Sequence, residues 1–175
     1  MTSPALDVVA IGDAIVDVIA TCDDSFIAER GLTKGSMQLL TAVEADELYA
    51  AMGPAREISG GSAANSMAGV AALGLNAGFI GQVADDQLGT IFEHDMTSLG
   101  VRFETPSLDG GPPTGRCLIL VTPDAQRTMN TCPGASHELT AEALDHALIR
   151  SASVTFLEGY LWGPERPRAA MLKAA

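Results

Sequence analysis

The sequence predicts an α/β protein with a mostly parallel sheet flanked by helices and a small β-sheet lid over its edge. Three observations predict it. Short apolar runs alternate with segments that carry apolar residues at helical spacing. A glycine pair, Gly60-Gly61, opens directly into one of those helical segments. Two groups of strand-like segments, about 14–40 and 101–131, have no crossover helix between their β pieces, so they fall outside the alternating pattern and form the lid.

The elements follow in order. Leu6-Asp7-Val8-Val9-Ala10-Ile11-Gly12 reads as a buried strand, and Ile15–Ala20 continues the β-rich composition with Asp17 in its middle. Ser36–Leu40 is another strand candidate. Thr41 has the character of an N-cap, with Glu44 at the capping-box position before Leu48 and Tyr49. After the glycine pair a helix runs over about 62–73 and ends at Gly74. Ala77–Val83 is the next strand. Asp85-Asp86 begin a helix bearing Leu88, Ile91, Phe92, Met96 and Leu99, which Gly100 ends. Val101–Thr105 is a short strand, and Asp109–Pro113 a turn. Arg116–Thr122 and Gln126–Thr131 predict a β-hairpin across Pro123-Asp124-Ala125. A helix capped by Thr140 follows with Leu144 and Leu148, then a strand over Ala152–Gly159 and a last helix opened by Pro164.

That last helical pattern is still running at Ala175, which suggests the N-terminal part of a longer protein. A doubly wound sheet cut partway would expose a strand edge and an apolar face, so aggregation or dependence on a partner is expected.

Composition narrows the function. Against 22 Asp+Glu stand 10 Lys+Arg, a formal net charge of -12, which argues against nucleic acid and anionic membrane as partners. No apolar run approaches the ~20 residues needed to cross a bilayer. Met1–Asp7 lacks a basic segment followed by an apolar stretch, so a cytoplasmic location is expected. Cys22, Cys117 and Cys132 are widely spaced and odd in number, which reads as buried reduced thiols, with no metal site. Gly-x-Gly-x-x-Gly, Walker A and nucleophile-elbow patterns are all missing.

In open α/β sheets, ligands sit beyond the carboxyl ends of the strands. Asp13 and Asp17 follow the first strand, Gly60, Gly61 and Asn65 open a helix, and Glu158 ends a later strand. Carboxylates accept from hydroxyls while an amide donates and accepts, a set that suits a neutral polyol. Position alone leaves alternatives open. Asp17 is equally a solvated strand residue, Gly60-Gly61 equally a plain turn, and Arg127 either a phosphate contact or an exposed hairpin residue.

Val9–Asp17, Gly60–Ser66, Ala71–Gly74 and Phe79–Gly89 together resemble the ribokinase-like (PfkB) family of carbohydrate and nucleoside kinases. Gly115-Arg116-Cys117, Arg127–Thr131 and Leu157–Leu161 are similar to the branch that includes adenosine kinases. The resemblance spans essentially all 175 residues. It implies ATP-dependent phosphorylation, with Mg²⁺, of a primary hydroxyl on a sugar or nucleoside. It implies that Asp17, Gly60, Gly61 and Asn65 hold that acceptor, that Glu158 lies close to it, and that Asp13 is a weaker ligand because the family varies there. A homodimer through the lid is a further implication.

The family's second signature, an Asp-Thr-x-Gly-Ala-Gly-Asp-like segment supplying the general base and the anion hole, is absent from this sequence. Most ATP and Mg²⁺ contacts go with it. The expectation is therefore an acceptor-binding half with no catalytic residue of its own, 1–175 forming the N-terminal part of one kinase domain. The alternative is a non-catalytic binding or regulatory fragment. The acceptor itself stays unnamed, because the lid positions Met37, Leu39, Cys117 and Ile119 suit a base or a bare sugar alike.

Overall fold

The computed structural model describes residues 6–175, so the opening Met1–Ala5 lies outside the described residues. Among the described residues nine strands divide between two sheets. The main sheet is wholly parallel, in the order β6-β5-β1-β9. It contains β1 (Leu6–Ile11), β5 (Ala77–Ile80), β6 (Val101–Phe103) and β9 (Ala152–Leu157). The second sheet is mixed and runs β3-β8-β7-β2-β4. Its strands are β2 (Ile15–Thr21), β3 (Met37–Leu39), β4 (Arg56–Gly60), β7 (Gly115–Val121) and β8 (Arg127–Cys132).

Burial on both faces explains the apolar run of β1 after Asp7. Ala10 joins a large core that spans the two sheets, with Phe79, Phe92, Phe103 and Met96 on one side and Val16, Val18, Leu118 and Leu120 on the other. Phe79, Phe92 and Phe103 form a ring triangle with centroids 5.3–6.0 Å apart. Val9 and Ile11 point the opposite way, into a core with Leu139, Leu144, Leu148, Leu161 and Met171. Helices α3 (Ser62–Ala72) and α4 (Gln87–Ser98) contribute Met67, Phe92 and Met96 to the first core, and α5 (His146–Ser151) and α6 (Glu165–Ala174) close the second.

Local chemistry sets the ends. Thr41 and Glu44 form the expected capping box on α2 (Ala42–Ala51). The Asp86 carboxylate caps α4 through the Gly89 N–H at 2.8 Å and also accepts from the Thr114 N–H and hydroxyl, tying α4 to the start of β7.

Several expectations are corrected. A helix, α1 (Asp24–Glu29), lies between β2 and β3, where none was expected. Six residues with one buried side chain, Ile27, show no periodicity. β4 occupies a stretch to which no element was assigned, and it exists through antiparallel pairing with β2. β6 belongs to the main sheet beside β5, not to the second sheet, whose later strands therefore lie within 115–132. The helix expected from Thr140 is broken into a 3₁₀ turn, Ala141–Ala143, and α5. Thr140 makes no side-chain cap, whereas Asp145 accepts from the Leu148 N–H at 2.9 Å. The break lets Leu139, Leu144 and Leu148 all enter one core.

The chain passes from one sheet to the other at a narrow seam. Gly12–Ala14 connects β1 to β2, and Gly60-Gly61 connects β4 to α3. At the far side of the main sheet, β9 is an edge strand with Val154 55% and Phe156 38% exposed.

Candidate acceptor-binding site

The seam brings together residues far apart in sequence. In β2, Asp17 pairs with Ile58 of β4 and Cys117 of β7. Its carboxylate lies flat against the Cα of Gly60, where an added Cβ would fall 2.5 and 2.6 Å from its two oxygens. A Cβ there would push the carboxylate out of this position. The next residue, Gly61, has φ of 92°, and a Cβ there would meet the Asp13 carbonyl oxygen at 2.5 Å. Both glycines thus serve close backbone approach, and the second also serves a conformation that side chains resist.

Register places Ile15, Ile19, Cys117, Ile119, Met129 and Leu39 on the same face as Asp17. Ile15, Cys117 and Ile119 form a small cluster of their own, with Ile19 and Met129 packed against it. Met37 and Leu39 are 51% and 67% exposed. The result is an apolar face with one carboxylate near its inner end. Burial pushes the Asp17 carboxyl upward, opposed by the charge of Arg127. Burial also raises the neighbouring Cys117 thiol. Cavities of about 330 to 400 Å³ lie elsewhere, around Thr21 and Cys22 and between α1 and α2.

Glu158 stands apart from the other expected ligands. It is 3% exposed and both its oxygens are engaged. Oε2 accepts from the Asp13 N–H at 2.6 Å, while Oε1 accepts from the Ala63 N–H at 3.0 Å and from the Ser62 hydroxyl. It joins the end of β9 to the β1–β2 turn and to the start of α3, so its carboxylate has protein partners where a substrate was expected. Asp13 is partly buried beside it, and its Oδ1 has no hydrogen-bond partner among the described residues. Burial first, and Glu158 second, push the Asp13 carboxyl up to about 7.

Asn65 lies in the first turn of α3, donating its backbone N–H to the Gly61 carbonyl at 2.9 Å. Its side chain is exposed and makes no hydrogen bond among the described residues. The structure therefore joins Asp17 to Gly60 and Asp13 to Gly61, and leaves Asn65 at the mouth of the same turn. Ser136, missed in the sequence, binds the seam through Ala14, accepting from its N–H at 2.8 Å. No local pattern marks a serine 122 residues away.

Arg127 is exposed and is the cation that acts on Asp17. Arg127→Ala is expected to raise the Asp17 carboxyl further, because the charge holding it down is gone. Carbon-detected NMR titration of the Asp17 carboxyl would show the midpoint move upward, and an unmoved midpoint would remove Arg127 from the site.

Among the described residues no three His, Cys, Asp or Glu side chains converge. With both oxygens of Glu158 engaged, these residues do not fit a Mg²⁺ or ATP site.

A parallel α/β sheet with a second sheet beside it and a paired-glycine turn at their seam is the architecture of the adenosine kinase type. Adenosine kinase from Sinorhizobium meliloti superposes with a TM-score of 0.89 at 53% identity, over 97% of this chain and 52% of that one. A probable sugar kinase from Rhizobium etli gives 0.89 at 46% identity, over 98% and 52%. Guanosine-inosine kinase of Escherichia coli is 27% identical over 175 residues, which are 94% of this chain and 40% of that protein. The chain belongs to the pfkB family of carbohydrate kinases, matched over residues 5–175. It spans about half the length of these relatives or less. Among the described residues no helix is long and apolar enough to cross a membrane.

Proposed function

We propose that this chain is the acceptor-binding half of an ATP-dependent kinase for a primary hydroxyl of a nucleoside, adenosine first, or of a sugar. The observation that carries the proposal is the contact between the Asp17 carboxylate and Gly60, 43 positions apart in sequence yet meeting at the seam. Asp17 and the Asn65 amide hold the sugar hydroxyls and so orient the primary hydroxyl, and orientation supplies a large share of the rate in phosphoryl transfer. The surrounding apolar face, with Cys117, Ile119 and Met129, takes the base. Glu158 positions the turn and does not touch the acceptor.

When bound, ATP and Mg²⁺ would supply the phosphoryl group and its charge neutralisation, and their sites and the general base belong to the half present in the longer relatives. Glu158, Ser136 and the glycine pair hold the acceptor end. A second reading, a binding or regulatory fragment without catalysis, draws on the span of about half the relatives' length. A homodimer of the complete protein would form through the second sheet.

An ATP-dependent phosphorylation assay on 1–175, run beside calorimetry with adenosine and ribose, tests these readings. Adenosine binding without turnover is expected. Turnover by the chain alone would place the general base within it, and failure to bind either compound would remove the acceptor site.

A further inference from the structure

Asp13 and Glu158 meet at the seam in an arrangement that acceptor binding alone does not explain. The Glu158 carboxylate accepts three hydrogen bonds, from Asp13 on the β1–β2 turn and from Ser62 and Ala63 at the N-terminus of α3. Three donors, two of them at a helix N-terminus, are the surroundings of an ionised carboxylate. Asp13 has the opposite surroundings. Its Oδ1 is buried without a donor. The one charge acting on it is that of Glu158, of like sign, and the Ser136 hydroxyl is the one side chain that acts on it by hydrogen bonding. That hydroxyl is already tied to the N–H and carbonyl of Ala14, at 2.8 and 3.2 Å. From the 3₁₀ turn that carries Ser136, His137 offers no compensating charge at neutral pH, because burial pushes its imidazole down. A second ionised carboxylate here would leave Oδ1 without a donor, share the Ser136 hydroxyl with Ala14 and face no countercharge. A proton on Asp13 removes the repulsion and gives the buried edge a donor.

We propose that Asp13 is held neutral beside the Glu158 carboxylate, and that in this form it is a positioning residue that holds the glycine turn through Glu158, so that the acceptor site is set at and below neutral pH and loosens above it. Its consequence for the ligand rests on the acceptor-site reading given above. The proton comes from solvent and returns to it, and no other reactant takes part. The direction of the pH effect follows from the Asp13 carboxyl, pushed up to about 7 from an ordinary 3.8. The folded state then binds more protons than the unfolded state between about pH 4 and 7. Stability from this group is full below pH 4 and is lost as pH rises through 7.

Carbon-detected NMR of the whole chain, without ligand, tests the pair directly. The Asp13 carboxyl carbon is expected to titrate near pH 7, and Glu158→Gln to lower that midpoint. In thermal melts Asp13→Asn, whose amide mimics the neutral acid, is expected to lose less stability than the wild type as pH rises. The gap should open between pH 5 and 8 and reach about 5 °C. His137 titrates in both proteins and cancels. An Asp13 midpoint below pH 5, or parallel melting profiles, would overturn the pair, and the wild-type titration decides alone should Asp13→Asn not fold.

Adenosine calorimetry at pH 6.0 and 8.5 tests the positioning role. Binding about tenfold weaker at the higher pH supports it, and equal binding with Asp13 titrating near 7 overturns it. Absence of adenosine binding at every pH, with that titration intact, refutes the acceptor reading and leaves the carboxyl pair standing.

Discussion

Asp17→Ala is expected to weaken adenosine binding by about 100-fold while the protein stays folded. A hydrogen bond to a charged group contributes about 1.5–3 kcal/mol, and each 1.4 kcal/mol is tenfold in affinity. Asp17 is the one carboxylate on its face whose approach is secured by a glycine, and no hydrogen bond within the described residues engages it. Two hydroxyls on one carboxylate reach the upper end of that range. Stability moves the other way. Burial raises the Asp17 carboxyl, so its ionised form is a cost of folding that grows as pH rises above the ordinary carboxylate range. The variant should therefore melt at or above the wild-type temperature at pH 8. Calorimetry and a melt on the same sample separate the two effects, and a variant that binds adenosine as the wild type does would exclude Asp17 from the site.

The second large effect falls on the fold. Gly61→Ala places a Cβ 2.5 Å from the Asp13 carbonyl oxygen at a residue with φ of 92°. Strain at such a backbone costs about 1–3 kcal/mol, and the contact is with main chain that cannot rotate away. A total of about 3 kcal/mol or more corresponds to a melting temperature lower by about 6–12 °C. The turn must shift, and Glu158 cannot then reach the Asp13 and Ala63 N–H groups together. A melt within 2 °C of the wild type would mean that the turn relaxes without cost.

Much of this was legible in the sequence where one segment decides its own structure. The capping box at Thr41 and Glu44, the cap at Asp86 and the left-handed glycines at Gly74 and Gly100 are local chemistry, and they appear where expected. The hairpin of β7 and β8 likewise follows from two alternating runs around Pro123-Asp124-Ala125. β4 was not legible, because Arg56-Glu57-Ile58-Ser59 has no apolar run and its strand is made by pairing with β2. Sheet membership of β6 depends on register with β5, which three residues cannot announce. In the site, the glycine pair stood out in the sequence, and the structure shows the chain's own Asp17 carboxylate and Asp13 carbonyl packed against it. The partners of Glu158 were not legible, because a carboxylate at a strand end reads the same whether it faces a ligand or accepts from N–H groups 145 and 95 residues away.

The placement of the seam has a mechanical consequence. Displacement in a rigid rotation grows with distance from the axis. If one sheet tilts against the other about Gly12–Ala14 and Gly60-Gly61, Asp17 beside that axle barely travels, while Met37 and Leu39 on the outermost strand sweep the widest arc. The polar grip on a small molecule would then keep its dimensions as the cleft opens, and the apolar jaw alone would let go.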